Sequence, residues 1–181
     1  MADAPDPAQP ETQRLFFALW PDDATRDALN RTGKWLHRHW GGRRMRADTL
    51  HLTLAFLGDT PAEMRDALLP RIEAIRADAF DLLLDRAGCW QHNRIGWLGC
   101  STPSAPLLAL AECLRGVLKE AGVPFDAKPF VPHVTLLRNT AGGALPSCVP
   151  VRWRAGDFVL IASRTEADGL HYRILRHWPL A

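Results

Sequence analysis

The sequence carries almost no net charge, since 22 basic residues against 20 acidic ones leave +2 over 181 positions. So weak a field gives no argument for nucleic-acid binding by overall charge, and any such contact must come from a local patch. No apolar run approaches the ~20 residues that cross a bilayer, and no basic stretch precedes an apolar one near the start, as in a secretory signal. Four cysteines without Cys-x-x-Cys spacing favour free thiols in a reducing compartment. We therefore expect a cytoplasmic protein without a membrane segment.

What is present fits one folded unit. A hydrophobic content of 47% lets the chain bury one core, in a single domain or in two closely packed lobes. The segment 1–13, rich in Ala, Asp and Pro, is expected to be a disordered tail. The domain is expected to span 14–181, and we expect a monomer without an obligate protein partner.

Apolar patterning predicts an α+β chain. Asp22 and Asp23 supply capping chemistry for a helix that ends at Gly41-Gly42, and the box 60–63 (Thr-Pro-Ala-Glu) predicts a second helix running to about Ala77. A third helix is expected from Pro103 to Ala121. The predicted strands cover 15–20, 50–57, 80–84, 94–99, 132–137, 157–163 and 170–178.

A His-x-Thr-Leu motif occurs twice, at 51–54 and 133–136, and the two copies lie 82 residues apart. Random order in a chain of this composition would give about 0.06 occurrences, so coincidence explains the pair poorly. Each copy lies on a predicted strand with a helix before it. We therefore expect two pseudo-symmetric lobes, each an antiparallel sheet with helices on its outer face, and a cleft between them.

The residue types of the motif suit acid–base chemistry. On a strand, residues i and i+2 share a face, so His51 lies beside Thr53 and His133 beside Thr135. One histidine can take a proton from water while the other protonates the departing oxygen, and no metal is needed. The threonines and Arg138, five residues past the second histidine, are candidate donors to the oxygens of a phosphate.

The strings RLFFALWP, LHLTLAFLGD and PFVPHVTLLRN resemble the two-histidine (2H) phosphoesterases, and specifically the bacterial RNA 2′,3′-cyclic phosphodiesterases once named 2′-5′ RNA ligases. The resemblance covers residues 14–179 and both motifs are intact. It implies a bilobal fold and hydrolysis of a 2′,3′-cyclic phosphate to a 2′-phosphomonoester. It further implies that His51 is the proton donor, that His133 is the proton acceptor, and that Thr53, Thr135 and Arg138 bind the substrate without a cofactor. RNA ends, including those of cleaved tRNA, are the implied partners.

Other residues have competing interpretations. Phe130 is expected to pack in the core rather than stack on a base, and Phe56 is expected on the apolar face of its strand. Trp90 and Trp97 are compatible with a cleft rim or with ordinary strand packing. The basic cluster 43–46 could attract RNA phosphates or form a solvated loop. The remaining histidines and the cysteines are too scattered for a zinc site.

Two other functions fit the same residues. The histidines could run the reverse reaction and join a 2′,3′-cyclic phosphate to a 5′-hydroxyl, as a 2′-5′ ligase. A binding module without turnover could also hold RNA ends in the cleft. Such a module would need phosphate donors but not both proton carriers, so the two intact histidines favour an enzyme.

Overall fold

The computed structural model describes residues 12–144, 149–167 and 169–181, which form ten strands and three α-helices in the described part of the chain. The strands are β1 (Thr12–Leu19), β2 (Arg43–Arg44), β3 (Leu52–Pro61), β4 (Phe80–Leu84), β5 (Arg86–Trp90), β6 (Ile95–Gly99), β7 (His133–Arg138), β8 (Val151–Ala155), β9 (Asp157–Glu166) and β10 (Gly169–Pro179). The helices are α1 (Asp23–Trp40), α2 (Ala62–Glu73) and α3 (Ala105–Glu120).

Eight strands form one sheet in the order β10-β9-β1-β3-β7-β6-β5, with β2 added to β7, while β4 and β8 form a separate pair. The ladders in the described part of the chain are antiparallel. The large sheet has two halves, which meet at one residue pair, Leu52 with Val134. The predicted α+β class with antiparallel sheets is confirmed.

The helices cover one face of the sheet and cross between its halves. Helix α1 packs on β7 and β8, whereas α3 packs on β3 and on α2. Gly33 of α1 faces Leu136 of β7, where a Cβ added to the glycine would lie at ordinary contact distance, 3.8 Å. The side chains between sheet and helices form the main core, to which Phe130 adds a partly buried ring, as predicted. The opposite face of the sheet is left for the cleft.

Three β-bulges change the alternation of the motif strands, two in β3 and one in β7. The one farthest from the motifs is at Leu57, since Phe56 pairs with Phe16 and Gly58 with Leu15. In β3, Thr53 pairs with Ala18 and Ala55 with Phe17, so Leu54 is an extra residue. In β7, Thr135 pairs with Trp97 of β6 and Leu137 with Gly96, so Leu136 is extra. Each extra residue reverses the faces of the residues that follow it.

Several element boundaries differ from the sequence prediction. Strand β1 begins at Thr12 rather than after residue 13, and the rest of the predicted tail lies outside the described residues. Helix α2 ends at Glu73, and its predicted capping box is wrong, because the Thr60 hydroxyl donates to the Gly58 carbonyl instead of capping the helix. By contrast, Asp22 caps α1 by accepting a 2.7 Å hydrogen bond from the Thr25 amide. None of the described helices is long and apolar enough to cross a membrane.

Candidate active site

The side chains predicted from the two motifs line one cleft of about 460 Å³ on the open face of the sheet. They are His51, Thr53, His133, Thr135 and Arg138. The pair Leu52 with Val134 explains this convergence. Paired residues on neighbouring strands point to the same face, here the core, so the histidine and threonine on either side of each point to the other face. The two motifs therefore face one cleft, related by a pseudo-twofold axis through the central pair.

His51 is fixed by hydrogen bonds at both ring nitrogens. Its Nδ1 lies 2.8 Å from the carbonyl oxygen of Thr49, and a carbonyl can only accept, so Nδ1 carries a proton. Its Nε2 lies 3.1 Å from Oγ1 of Thr53. In the neutral ring Nε2 accepts from this hydroxyl, and in the charged ring it donates to it. The Thr49 carbonyl thus selects the tautomer that presents Nε2 to the cleft.

His133 has the same anchor in the second half of the sheet. Its Nδ1 donates to the carbonyl oxygen of Val131 at 2.7 Å, two residues before it, as Thr49 lies two residues before His51. Trp90 packs against the imidazole in a T-shaped arrangement with a centroid distance of 4.5 Å. Nε2 is again the nitrogen left for the cleft. The two motifs therefore share a hydrogen-bonding arrangement as well as a sequence pattern.

Burial lowers the pKa of both histidines. Desolvation lowers the pKa of His51 from 6.5 to about 4, opposed by the bond to Thr49 and reinforced by the charges of His133 and Arg138. Desolvation also lowers the pKa of His133, against the bond to Val131. Both rings are consequently neutral at pH 7 in the free protein. A pair of perturbed histidines in a cleft is typical of a catalytic site.

An aromatic wall causes the desolvation of His51. Trp20 stacks over the imidazole at a centroid distance of 6.1 Å and 14°. Phe16 lies at 4.8 Å, and Tyr172 meets the ring edge-on at 5.3 Å. These rings come from β1, its end and β10, so no local signal in the sequence indicates that they meet a motif in β3.

The bulges bring Arg138 and Phe56 into the cleft. Strict alternation would direct residue 138 toward the core, but the extra Leu136 returns it to the face of His133. The same displacement in β3 overturns the prediction for Phe56, which lines the cleft, while Ala55 packs in the core. The alternation of β3 predicts the wrong face for residues 55–57, between the bulges at Leu54 and Leu57, because a bulge has no reliable sequence signature.

The basic cluster 43–46 divides between the two faces of the sheet. Arg43 pairs with Arg138 across β2 and β7, so both side chains lie on the cleft side. Arg44 lies toward α1, where it is 3.5 Å from the Asn30 side chain. Met45 lines the cleft, and Arg46 forms an ion pair with Asp48. Only part of the cluster is therefore placed to meet a ligand of the cleft.

The cleft carries the side chains that phosphate chemistry by proton transfer requires. The described residues include no group of three or more His, Cys, Asp or Glu side chains that could hold a metal ion. The cleft offers instead two imidazole nitrogens, two threonine hydroxyls and the Arg138 guanidinium. Such a set can move protons at two positions and hold the oxygens of an anion between them.

Known proteins match both the sequence and the fold. A family model described as the 2′-5′ RNA ligase superfamily matches residues 20–161. The RNA 2′,3′-cyclic phosphodiesterase of Escherichia coli (strain K12) is 37% identical over 175 residues, covering 94% of this chain and 98% of that protein. The enzyme of the same name from Thermus thermophilus is 30% identical over 180 residues, covering 92% and 90%. The crystal structure of E. coli LigT complexed with 3′-AMP matches with a TM-score of 0.86 at 37% identity, over 94% of this chain and 99% of that one. The resemblance predicted from the two motifs is confirmed, and the chain belongs to the 2′-5′ RNA ligase superfamily.

Proposed function

We propose that this protein hydrolyses 2′,3′-cyclic phosphate ends of RNA to 2′-phosphomonoesters, by acid–base catalysis with two histidines. The observation that carries the proposal is the pair of imidazoles whose Nδ1 atoms are bound to backbone carbonyls while both Nε2 atoms face one cleft. Two relatives that cover most of the chain carry the name RNA 2′,3′-cyclic phosphodiesterase. The geometry of the two histidines and the similarity to these relatives therefore both support the proposed activity.

In the proposed reaction, the phosphorus of the cyclic ester lies between the two histidines. Nε2 of His133 takes a proton from a water molecule, whose oxygen forms the new bond to phosphorus. The bond from phosphorus to the 3′ oxygen breaks, and Nε2 of His51 gives that oxygen its proton. The product carries a 3′-hydroxyl and a 2′-phosphate, and the two histidines have exchanged protonation states.

Thr53, Thr135 and Arg138 are the proposed ligands of the phosphate oxygens. A guanidinium suits this role because its forked N–H groups match two oxygens of one phosphate. The Thr53 hydroxyl also stays within 3.1 Å of the His51 ring, which links phosphate binding to the proton donor. His51 must gain a proton before it can act, and a bound anion supplies the field that raises its pKa above the free value of about 4.

The test uses an oligoribonucleotide that ends in a 2′,3′-cyclic phosphate, incubated with the protein in EDTA, with separation of 2′- and 3′-phosphate products. We expect a 2′-phosphate from the wild type, strong loss in His51→Ala and His133→Ala, and retention in His92→Ala, which changes an exposed histidine in a turn outside the cleft. A 3′-phosphate product would contradict the assigned leaving group. Activity that vanishes in EDTA and returns with zinc would contradict the metal-free mechanism.

The physiological setting follows as part of the same proposal. RNA ends such as those of cleaved tRNA are the proposed substrates, acted on in the cytoplasm by a monomer. Cys89, Cys100 and Cys113 are free thiols, which suits a reducing compartment, while Cys148 lies outside the described residues. Adding an oligonucleotide with a 5′-hydroxyl to the assay tests the reverse reaction, since ligation would give a longer product.

A further inference from the structure

The cleft extends beyond the two histidines, over strands that the proposed chemistry does not use. Its floor continues across β1, β9 and β10, where Arg14, Ser163, Thr165 and Tyr172 line it. The register explains this row, because Arg14 pairs with Ser163, and Ser163 with Tyr172. A cyclic phosphate held by the two motifs would leave this end of the cleft empty. The remaining space therefore fits a further part of the substrate.

Arg14 supplies a positive charge at this end. Its guanidinium carbon lies 4.9 Å from the centre of the Phe56 ring, in a cation–π contact that holds an otherwise exposed side chain over the cleft. Asp59 lies opposite Arg14 across the β1–β3 ladder, yet within the described ranges no ion pair joins the two. The charge of Arg14 is thus available to an anion.

Arg138 and the Phe56 ring that supports Arg14 lie on opposite sides of the pseudo-twofold axis. Phe56 and Arg138 each lie five residues after a motif histidine, on strands that run in opposite directions from the Leu52–Val134 pair. Three to four residues of strand on each side separate their backbones by about 20 Å or more. Arg138 stands at one end and Arg14, resting on Phe56, at the other. Two cations so placed suit two phosphates better than one.

Tyr172 lies within range of both cations, and Ser163 and Thr165 line the same cleft. The charges of both Arg138 and Arg14 act on the Tyr172 hydroxyl, opposing the rise in its pKa that burial causes. The Tyr172 ring packs edge-on against Phe16 at 5.2 Å, beside the Thr165 hydroxyl, while the Ser163 hydroxyl donates to the Arg14 carbonyl at 3.3 Å. A cation, hydroxyl donors and aromatic rings along one groove are the features with which proteins bind single-stranded nucleic acid.

We propose that Arg14 binds a second phosphate of the RNA, the phosphodiester on the 5′ side of the terminal nucleotide, and thereby favours oligonucleotide over mononucleotide substrates. This inference rests on the proposed function, because it takes the cyclic phosphate to lie between the histidines. Arg14 is then a specificity residue that does not touch the reacting atoms. Arg138, by contrast, acts on the reactive phosphate of every substrate.

The experiment compares kcat/KM for a nucleoside 2′,3′-cyclic phosphate and for a trinucleotide with the same end. For Arg14→Gln we expect the preference for the trinucleotide to fall about tenfold, the value of one charge-assisted hydrogen bond, with Arg14→Lys intermediate. Arg138→Gln should lower both rates by a similar factor and leave the preference intact. Equal losses on both substrates for Arg14→Gln, or no loss on either, would overturn the proposal.

A matched control and a binding measurement complete the design. Arg173→Gln removes an exposed arginine next to Tyr172 on β10, whose side chain points away from the cleft by alternation, and should leave the preference unchanged. Fluorescence anisotropy of a trinucleotide that ends in a 2′-phosphate reports binding without turnover. The slope of log Kd against log salt should fall by about 0.7 in Arg14→Gln. If the wild type cleaved neither substrate, the phosphodiesterase function would fail, while the slope would still decide the role of Arg14.

Discussion

Phe56 and Arg138 occupy corresponding positions in the two halves of the sheet, each five residues after a motif histidine and each lining the cleft. Both reach it because a bulge, at Leu54 in β3 and at Leu136 in β7, reverses the alternation of the strand. The two motif strands are therefore more alike in backbone conformation than in the residues they carry at this position. One end of the cleft receives a cation on the motif strand, and the other receives a ring that supports a cation from β1.

Removal of the Arg138 charge tests the phosphate-binding role. We expect Arg138→Gln to lower kcat/KM about 10- to 100-fold, because a hydrogen bond to a charged group contributes about 1.5–3 kcal/mol. Arg138→Lys should recover part of the loss, since an ammonium keeps the charge but lacks the fork. Arg43→Gln, one strand away on the same side, serves as a comparison for a charge at the rim. Equal rates for Arg138→Gln and the wild type would remove Arg138 from the site.

Substitution of the histidines tests the chemistry. His51→Ala and His133→Ala should each lower kcat about 10²- to 10⁴-fold, the usual contribution of a proton-transfer group. Both side chains line the cleft and lie outside the helix–sheet core, so we expect the variants to keep their far-UV circular dichroism. Rates near that of the wild type in either variant, with the fold intact, would be incompatible with the mechanism.

The pH dependence of catalysis follows from the lowered pKa values. The productive form has His51 charged and His133 neutral, so in the free protein kcat/KM should fall as pH rises above the higher of the two pKa values, both of which burial lowers. The bound phosphate anion raises both values, so the corresponding fall in kcat should occur at higher pH. Parallel measurement of both constants from pH 4 to 9 checks this. A kcat/KM that stays constant up to pH 8 would show that the histidines are not buried as described.

Stability should also depend on the protonation of His51. Its pKa is about 4 in the folded protein and 6.5 when exposed, so between these values the unfolded chain binds a proton that the folded protein does not. The free energy of unfolding therefore decreases as pH falls from 6.5 to 4, by at most about 3 kcal/mol. Urea titrations at pH 7.5 and 4.5 should show a smaller decrease in His51→Gln than in the wild type. An identical decrease in both proteins would assign the acid sensitivity to other groups.

The sequence predicted the histidine and threonine face of the cleft better than its walls. His51, Thr53, His133 and Thr135 could be found because a period of two places residues i and i+2 on one face, and because the motif repeats. Trp20 and Tyr172 could not, since their contacts to His51 join β1 and β10 to β3 and depend on strand order rather than on local pattern.

The missed elements have local causes. Within the described ranges, strand β8 pairs with β4 alone, and it follows residues whose Pro and Gly content predicted a loop. Strand β5 contains Gly88 and Cys89, which do not show the β-branched alternation typical of a strand. Its glycine has a packing reason, because the ring of Trp97 on β6 lies directly over it. The need for glycine at this position comes from a side chain on another strand, so the sequence around residue 88 does not indicate it.

Gly88 therefore offers a test of how the wall behind His133 is built. A Cβ at this position would overlap the Trp97 ring, so Gly88→Ala must displace a ring that packs on Trp90, the neighbour of His133. We expect a loss of about 1–3 kcal/mol in the free energy of unfolding, measured by urea titration, together with a lower kcat/KM. Gly116→Ala is the matched control: this glycine lies in α3 with no atom within 4 Å of an added Cβ, so alanine should stabilise the protein by up to about 1 kcal/mol. If Gly88→Ala were as stable as the wild type, the Trp97 ring would have to move without cost. The close packing of β5 on β6 would then not explain how Trp90 is held against His133.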